Sequence, residues 1–484
     1  MKSRLLSAFI LSIPWLAAIS SAVAAPPDRL YPQGLSAAAA RNGVSPPVRA
    51  PRPARVAPLD EREREMLAFL TGKKEEMVAL LQTIVEVNSG SHNAAGIQRC
   101  GKLLSDELER LGFATERVPE TRVEEALADG TTVTRTAGPH RVCRHTGERG
   151  EKILLIGHVD TVFEPGTGFL KFTRADDVEY GPGLRGDVGY GPGVADMKGG
   201  LVVMLYALRA LAHAGALDGR DVTVILNGDE ELGSLWSRSI IERECAGRDR
   251  CLVFEPGDGE RDKWGALTIA RKGLGQFKIT VHGTAAHAGG DHHHGVNAAD
   301  DLCRKAALIN RLTDYRRGLT LNVGIIDLGP FAKRNRVPAW AQMWVDLRFW
   351  RAEDGERAYG KVREIAERQL VYNPWLKEGT RSEFWGVLHR PPMPQDEARD
   401  RWYAEVAGLA KLIDVPVAAV GSGGGSDANL TTAAGVLSLD SLGPMGDAAH
   451  TTGERVYLDT FEGRAKLAAL TIYRLWRGGA SGSE

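Results

Sequence analysis

Apolar positions along the chain follow two periods, and each period predicts a different kind of element. Between Met66 and Val85 they recur mostly three or four residues apart, which predicts a helix. Residues 96–111 predict a second amphipathic helix that ends at Gly112, and residues 199–214 predict a third. Four short, continuously apolar runs have the composition of strands buried on both faces: residues 153–156, 222–226, 251–254 and 436–442. This alternation predicts an α/β fold with a mixed, largely parallel sheet sandwiched by helices.

The pattern changes between residues 273 and 390. Residues 276–282 and 343–349 alternate between apolar and polar side chains, as half-buried antiparallel strands do, and a last strand is expected at residues 382–388. Helical spacing occupies residues 297–312 and 353–370. The order strand, helix, two strands, helix, strand predicts an inserted ferredoxin-like α+β domain. The insertion divides the main domain into residues 61–272 and 391–484.

The first 60 residues differ in composition from the rest. A positively charged start, an apolar stretch and an Ala22-Val23-Ala24 site predict that residues 1–25 are a signal peptide. A single membrane anchor is the alternative, but the stretch is short and contains Pro14. Cleavage would leave a periplasmic or secreted protein with no stable membrane span. Residues 26–60 are rich in Pro, Ala and Arg, which predicts a flexible linker.

Charge and cysteine content narrow the classes of function. The 61 Lys and Arg residues are matched by 62 Asp and Glu residues, so no basic excess is available for a phosphate backbone. Nucleic acid is therefore not an expected partner. The 5 cysteines include no Cys-x-x-Cys pair, which leaves cysteine-bound zinc without support. Cys245 and Cys251 are close enough in sequence to form a disulfide, and the paired and free states both stay open.

Polar side chains follow each of the four apolar strands, and one more precedes the helix of residues 199–214. Ligand sites in open α/β sheets lie at the carboxyl ends of the strands, so these side chains are expected to meet at one edge. The candidates are His158, Asp160, Asp196, Glu230, Glu231, Glu255 and His450. Each motif alone is more often structural, as a solvated charge run or a salt-bridged carboxylate. Their coincidence at four strand ends favours a functional site.

The residue types at this edge favour a pair of divalent metal ions. Two histidines and three carboxylates can hold two ions if one carboxylate bridges them. Three negative charges and one hydroxide balance two Zn²⁺ ions, and such a site keeps its hydroxide nucleophilic. Glu230 would remain as a general base. Asp160 is placed to accept the second ring N–H of His158.

Several motifs resemble the co-catalytic zinc exopeptidase family, which includes bacterial glutamate carboxypeptidases, acetylornithine deacetylase and succinyl-diaminopimelate desuccinylase. They are Gly157-His-Val-Asp-Thr161, Gly191-Pro-Gly-Val-Ala-Asp-Met-Lys-Gly-Gly200, Gly228-Asp-Glu-Glu-Leu-Gly233 and the His450 loop. The similarity spans roughly residues 65–477. Within the family the chain most resembles the periplasmic glutamate carboxypeptidases, through residues 87–90, 96–97, 423–427 and 441–444.

The resemblance implies a role for each candidate. One zinc ion would be bound by His158, Asp196 and Glu255. The other would be bound by Asp196, Glu231 and His450, giving two Zn²⁺ per protomer. Glu230 would be the base and Asp160 would orient His158, and the peptide bond after Asp196 is often cis in this family. The inserted domain would form a homodimer in which His287 reaches the active site of the other subunit. The substrate carboxylates would be held by Asn322, Arg348 and Lys263.

Three segments depart from the family pattern. Tyr180-Gly-Pro-Gly recurs as Tyr190-Gly-Pro-Gly, which lengthens the predicted loop before Asp196. Residues 291–294 read Asp-His-His-His, either a solvated loop or an adventitious metal site, and residues 329–335 are less rich in Gly than the family turn. These departures leave the metal chemistry intact and the identity of the substrate open.

The leading hypothesis is a di-zinc metallohydrolase that releases a C-terminal amino acid, such as Glu or Asp, from a small peptide or N-acyl conjugate. An N-acyl-amino-acid deacylase or dipeptidase of the same fold is the alternative with the same chemistry. An inactive, metal-holding interaction protein is the alternative from another class. The intact Glu230 argues against it, because a binding protein needs no base.

Overall fold

The structure is a computed structural model that describes residues 48–126, 132–181, 184–258 and 265–478. The predicted signal peptide, residues 26–47 and Lys263 lie outside these ranges. Within the ranges there are ten α-helices: α1 Glu61–Leu70, α2 Lys74–Val85, α3 Ala94–Glu109, α4 Gly199–His213, α5 Arg238–Cys245, α6 Ala298–Asn310, α7 Ala352–Glu367, α8 Glu397–Leu412, α9 Asp427–Ala433 and α10 Phe461–Trp476.

The strands of the described residues, in chain order, are β1 Ala114–Val118, β2 Thr121–Ala126, β3 Thr132–Ala137, β4 His140–His145, β5 Ile153–His158, β6 Thr173–Gly181, β7 Leu184–Tyr190, β8 Val222–Asn227, β9 Arg250–Val253, β10 Gly257–Asp258, β11 Ala266–Arg271, β12 Gly273–His282, β13 Ala286–His287, β14 Thr320–Asp327, β15 Arg336–Val337, β16 Trp340–Phe349, β17 Tyr372–Asn373, β18 Glu378–Gly379, β19 Arg381–Arg390, β20 Ala418–Ser422, β21 Leu437–Leu439, β22 Met445–Asp447 and β23 Arg455–Tyr457.

A six-stranded sheet forms the centre of the main domain. Its order is β1-β4-β8-β5-β9-β21, with parallel pairing from β8 to β21 and antiparallel pairing at the β1 end. Alternate residues of β5 face opposite layers: Ile153 and Leu155 pack with α4 and α10, whereas Leu154 and Ile156 pack with α5 and α9. The predicted mixed, largely parallel sheet between helices is therefore confirmed.

Two predicted elements have different limits in the structure. The helical pattern of residues 66–85 forms two helices, because Gly72 between α1 and α2 has a φ of +80° that a continuous right-handed helix cannot contain. The strand predicted at residues 436–442 is limited to β21. Beyond it, the Leu442 N–H donates to the Val253 carbonyl and the Gly443 N–H to the Glu255 carbonyl, which takes the chain around the end of β9.

A second sheet has the order β10-β22-β23-β7-β6. Tyr180 and Gly181 of the first Tyr-Gly-Pro-Gly segment lie in β6, and Tyr190 of the second is the last residue of β7, although this repeat was expected to lengthen a loop. Instead β6 and β7 form an antiparallel hairpin, and β7 pairs with β23. His450 was expected in the loop after the fourth apolar strand. It follows β21 along the chain, but β22 lies between them, and His450 is on the connection between β22 and β23.

The inserted domain has a four-stranded antiparallel sheet in the order β14-β16-β12-β19. Helices α6 and α7 pack on one face through a separate apolar cluster that includes Phe277, Leu302, Val345 and Val362. Order and direction match the predicted ferredoxin-like arrangement. The other face carries Asn322 and Arg348.

Residues 48–60 were expected to belong to a flexible linker, but they are packed against the main domain. The Ala54 N–H donates to the Ala404 carbonyl at 2.7 Å, and Arg474 donates to the carbonyls of Ala57 and Pro58. Val48, Val56 and Leu59 also contact the main apolar core. The burial of these apolar side chains explains the order of a segment whose composition is otherwise polar and Pro-rich.

Two further sequence expectations concern disulfides and membranes. Cys245 and Cys251 are both free thiols, so the possible disulfide is not formed. Both side chains pack in the apolar layer under α5 and α9, and burial raises the pKa of Cys245 to about 12. Among the described residues, no helix is both long and apolar enough to cross a membrane.

Candidate metal centre

His158 is the last residue of β5, and its side chain is almost fully buried. Its Nδ1 atom lies 3.0 Å from the main-chain carbonyl oxygen of Asp160 and 3.5 Å from the carboxylate oxygen Oδ1 of the same residue. The sequence predicted that Asp160 accepts this ring N–H, and its main-chain carbonyl makes the shorter of the two contacts. With Nδ1 donating to this carbonyl, Nε2 is the atom available to a metal ion.

The Asp160 carboxylate joins three segments of the site. It accepts hydrogen bonds from the Ser91 hydroxyl at 2.9 Å, from the Glu230 N–H at 3.2 Å and from the Glu231 N–H at 3.1 Å. Asp160 is fully buried, so these donors replace the water that its charge would otherwise need. Its role is therefore wider than orienting one histidine, because it also fixes the turn that carries the two glutamates.

Asp196 lies in the irregular turn between β7 and α4, and the peptide bond that follows it is cis, as the resemblance implied. Its two carboxylate oxygens face two different histidines. Oδ1 is 3.0 Å from His158 Nε2, and Oδ2 is 3.2 Å from His450 Nε2. This is the arrangement that a carboxylate bridging two metal ions requires.

His450 completes one side of the site. Its Nε2 atom lies 3.2 Å from Glu231 Oε2 as well as near Asp196. Hydrogen bonds to these two carboxylates raise the pKa of His450 to about 11. The residue has a φ of +64°, a left-handed conformation that is uncommon outside glycine and concentrates at functional sites.

Glu255 completes the other side. It follows β9, it is buried, and its Oε1 atom lies 3.8 Å from His158 Nε2. Burial raises the pKa of Glu255 well above its usual range, and the neighbouring Asp196 carboxylate acts in the same direction. A carboxylate in this position gains stability from a cation placed between it and its neighbours.

The donor set fits divalent cations. One ligand atom each from His158, Asp196 and Glu231 lie within 4.8 Å of one another, and the same holds for His158, Glu230 and Glu255. Burial, together with the neighbouring Asp196 carboxylate, also raises the pKa of Glu231. Imidazole and carboxylate donors at this spacing match the ligand preferences of zinc and related divalent ions.

Glu230 lies beside the ligands and has a buried cation of its own. Arg390 donates through Nη2 to Glu230 Oε1 at 2.7 Å and to the Glu230 carbonyl at 3.2 Å. Burial raises the pKa of Glu230 to about 8, and the Arg390 guanidinium opposes that rise. Sequence reasoning missed Arg390. The available signal was a charged residue in the last strand of the insertion, directly before Pro391-Pro392.

Of the substrate-binding candidates, Asn322, Arg348 and His287 lie in the described part of the chain, and they make their contacts within the inserted domain. Arg348 donates through Nε to Asp346 Oδ1 at 2.8 Å, and Asn322 is the strand partner of Asp346. His287 is exposed, and its Nδ1 accepts the N–H groups of Gly289 and Gly290 at 3.1 and 2.9 Å. Its ring proton is therefore on Nε2, where it can be donated to a ligand.

Comparisons with known proteins identify the family to which the chain that carries these site residues belongs. Residues 154–474 match the profile described as Peptidase family M20/M25/M40. Carboxypeptidase G2 from Pseudomonas sp. (strain RS-16) is 29% identical over 430 residues, which cover 86% of this chain and 94% of the relative. The metallo-carboxypeptidase Sso-CP2 from Sulfolobus solfataricus has the same fold, with a TM-score of 0.62, 16% identity and coverage of 87% of this chain and 100% of the other.

A third relative, a dinuclear metal-binding peptidase from Bacillus subtilis, has a TM-score of 0.58 and 12% identity, with coverage of 85% of this chain and 99% of the other. Profile, sequence relative and site geometry agree on a metal-dependent hydrolase. The chain belongs to peptidase family M20/M25/M40.

Proposed function

We propose that the protein is a di-zinc carboxypeptidase that releases a C-terminal amino acid from a small peptide or an N-acyl conjugate. The single observation that carries the proposal is Asp196, whose two oxygens face His158 and His450 beside the acid Glu230. The similarity to carboxypeptidase G2 over most of both chains favours the same polarity of cleavage. The B. subtilis structure, described as dinuclear, supports two ions.

Five residues would hold the metal ions. His158 and Glu255 would bind one ion, Glu231 and His450 the other, and Asp196 would bridge them. When bound, the two ions lower the pKa of an attacking water and polarise the scissile carbonyl. Elemental analysis after reconstitution should give two zinc ions per protomer. His450→Ala should retain close to one, because His158, Asp196 and Glu255 remain in place.

Glu230 is the group that moves the proton. Its Oε1 atom is held by Arg390, so Oε2 is the atom that takes the proton of the attacking water and delivers it to the leaving amino nitrogen. The hydrogen bond from the Glu230 N–H to Asp160 keeps this side chain beside His158. A protein that only stored metal would not need this arrangement, which argues against an inactive interaction protein.

The substrate carboxylates need fixed positive and polar partners once water is excluded. We assign these roles to Arg348 and Asn322, with His287 of the partner subunit donating through Nε2. Lys263 is the candidate for an acidic side chain on the leaving residue. The edge strand β14 exposes Ile325 and Ile326, and the burial of such apolar side chains favours a homodimer through the inserted domain. The leader of residues 1–25 supports a periplasmic or secreted location.

An N-acyl-amino-acid deacylase or dipeptidase is the second candidate. Arg348 already forms an ion pair with Asp346, so it would bind a substrate carboxylate more weakly than a free arginine would. A panel of matched substrates separates the two. We expect N-acyl glutamate and aspartate to be cleaved fastest by the zinc-loaded protein, and the α-amidated forms not to be cleaved. Equal cleavage of acidic and neutral N-acyl amino acids would favour the general deacylase, and preferential cleavage of dipeptides with a free amino terminus would favour the dipeptidase. No turnover of any substrate would refute both candidates.

A further inference from the structure

Glu454 is a buried acid that has no part in the proposed metal binding, proton transfer or substrate binding. It is 1% exposed and lies on the same β22–β23 connection as His450. Both of its carboxylate oxygens accept backbone hydrogen bonds from the turn that carries Asp196. Oε2 accepts from the Gly193 N–H at 3.1 Å, and Oε1 accepts from the N–H groups of Ala195 and Asp196 at 2.9 and 3.0 Å.

The turn needs an acceptor of this kind because its backbone is irregular. Asp196 and Met197 have non-helical φ and ψ values, so the turn cannot satisfy these donors by the regular pattern of a helix. Three N–H groups that converge on one carboxylate fix both the position and the direction of the peptide units. The N–H of Asp196 itself is among them, so the carboxylate acts on the backbone that aims the bridging side chain.

The downstream end of the same turn is held independently. Lys198 donates through Nζ to the carbonyls of Ile84 and Val87, both at 3.0 Å, at the end of α2. Loss of the Glu454 contacts would therefore loosen the part of the turn that contains Asp196, while Lys198 still anchors its connection to α4. The expected effect is local to the metal centre.

We propose that Glu454 is a positioning residue for the metal centre: it ties the connection that carries His450 to the turn that carries Asp196, so that the two ligands hold a fixed spacing. This inference deepens the proposed function and rests on it. Glu454 does not bind metal in this scheme. It acts through the backbone of Asp196, as residues outside the ligand set commonly do when they set metal affinity.

The test measures metal binding as well as turnover. Metal-free wild-type protein, Glu454→Gln and Glu454→Asp are titrated with Zn²⁺ against a competing chelator, and with Co²⁺ while its visible absorption spectrum is recorded. We expect Glu454→Gln to lose about 10–100-fold in metal affinity and to show an altered Co²⁺ spectrum. Glu454→Asp keeps the charge and should recover part of the affinity, which also provides a soluble variant if the glutamine variant does not fold.

Asp301→Asn is the matched control. Asp301 is also a fully buried carboxylate that accepts two backbone N–H groups, those of Leu370 and Val371 at 2.8 and 3.2 Å, but it lies in the inserted domain. We expect it to lower the melting temperature and leave metal affinity unchanged. If Glu454→Gln behaves like this control, Glu454 is only structural and the inference is overturned. If the wild-type protein does not bind two metal ions, the result refutes the proposed function itself and not only the role of Glu454.

Discussion

At the residue scale, the site depends on one carboxylate that must be available as a base in a buried position. Burial and the nearby acids Asp427 and Glu231 raise the pKa of Glu230, and the buried Arg390 opposes this rise more strongly than His158 does. Replacing Glu230 by Gln removes the proton acceptor and keeps the shape. We expect turnover to fall by roughly 10²–10⁴-fold while both metal ions stay bound, as measured by steady-state kinetics and elemental analysis. Loss of metal together with activity would instead identify Glu230 as a ligand.

Arg390 should set the pH at which this base becomes active. Its positive charge lowers the pKa of Glu230, so removing it raises that pKa further. In the proposed mechanism Glu230 acts as a base only when it is deprotonated, so kcat/KM should rise as pH increases through this pKa. Arg390→Gln should therefore move the acidic limb of the pH profile upward by about one pH unit, whereas Arg390→Lys should move it less. An unmoved limb in Arg390→Gln would mean that another group controls it.

The clustering of the proposed ligands and the contact of Asp160 with His158 could be predicted from the sequence, but the contacts of Arg390 and Glu454 could not. His158, Glu231 and Glu255 follow strands whose apolar composition is visible, and the carboxyl ends of those strands must share an edge. Arg390 reaches the site only because the last strand of a separate domain ends there. The contacts of Glu454 could not be predicted because it accepts three backbone N–H groups. The pattern of side chains along a sequence does not show where backbone N–H groups point.

At the element scale, the site depends on a close approach between α4 and the end of β9. A Cβ atom at Gly200 would lie 1.8 Å from the carbonyl oxygen of Phe254, the residue before Glu255. Gly360 is also within a helix, α7, and a Cβ atom there would meet nothing within 4 Å. Replacement by alanine is therefore expected to lower the stability of the protein at Gly200 and to raise it at Gly360.

Gly200→Ala should destabilise the protein by about 1–3 kcal/mol, because helix and strand must separate. Gly360→Ala should stabilise it by about 0.5–1 kcal/mol, since alanine lowers the entropy cost of forming a helix. Urea unfolding of the two variants and the wild type measures both changes. We also expect Gly200→Ala to lower activity by displacing Glu255. Stabilisation by both substitutions would show that α4 can shift without cost.

Element types were more predictable than their limits. The period of the apolar positions distinguishes the buried strands from the helices, which is why β5, β8 and α4 lie where they were expected. The break at Gly72 and the early end of β21 depend on single backbone conformations and on hydrogen bonds from distant carbonyls. The pairing of β7 with β23 likewise joins segments that are distant in sequence, which local patterns do not show.

At the scale of the whole molecule, the proposed dimer should allow two inactive variants to complement each other, which monomers could not do. If His287 acts in the site of the other subunit, a mixture of His287→Ala and Glu230→Gln protomers contains heterodimers with one intact site. Refolding the two inactive variants together should restore part of the activity, whereas each variant alone should stay inactive. Light scattering that gives the mass of one chain at working concentration would contradict the cross-subunit role.

The order of strands in the central sheet has a consequence for biosynthesis. Strand β21 pairs in parallel with β9 and forms an edge of the sheet, yet the whole inserted domain separates the two strands along the chain. A nascent chain that has just left the ribosome up to residue 390 therefore presents the edge of β9, with the buried apolar side chains of Leu252 and Val253, to any other strand. His450 has not yet been synthesised at that stage. The unfinished polypeptide is thus both unable to complete its metal site and prone to self-association, so chaperone capture should be strongest in the interval before the last hundred or so residues emerge.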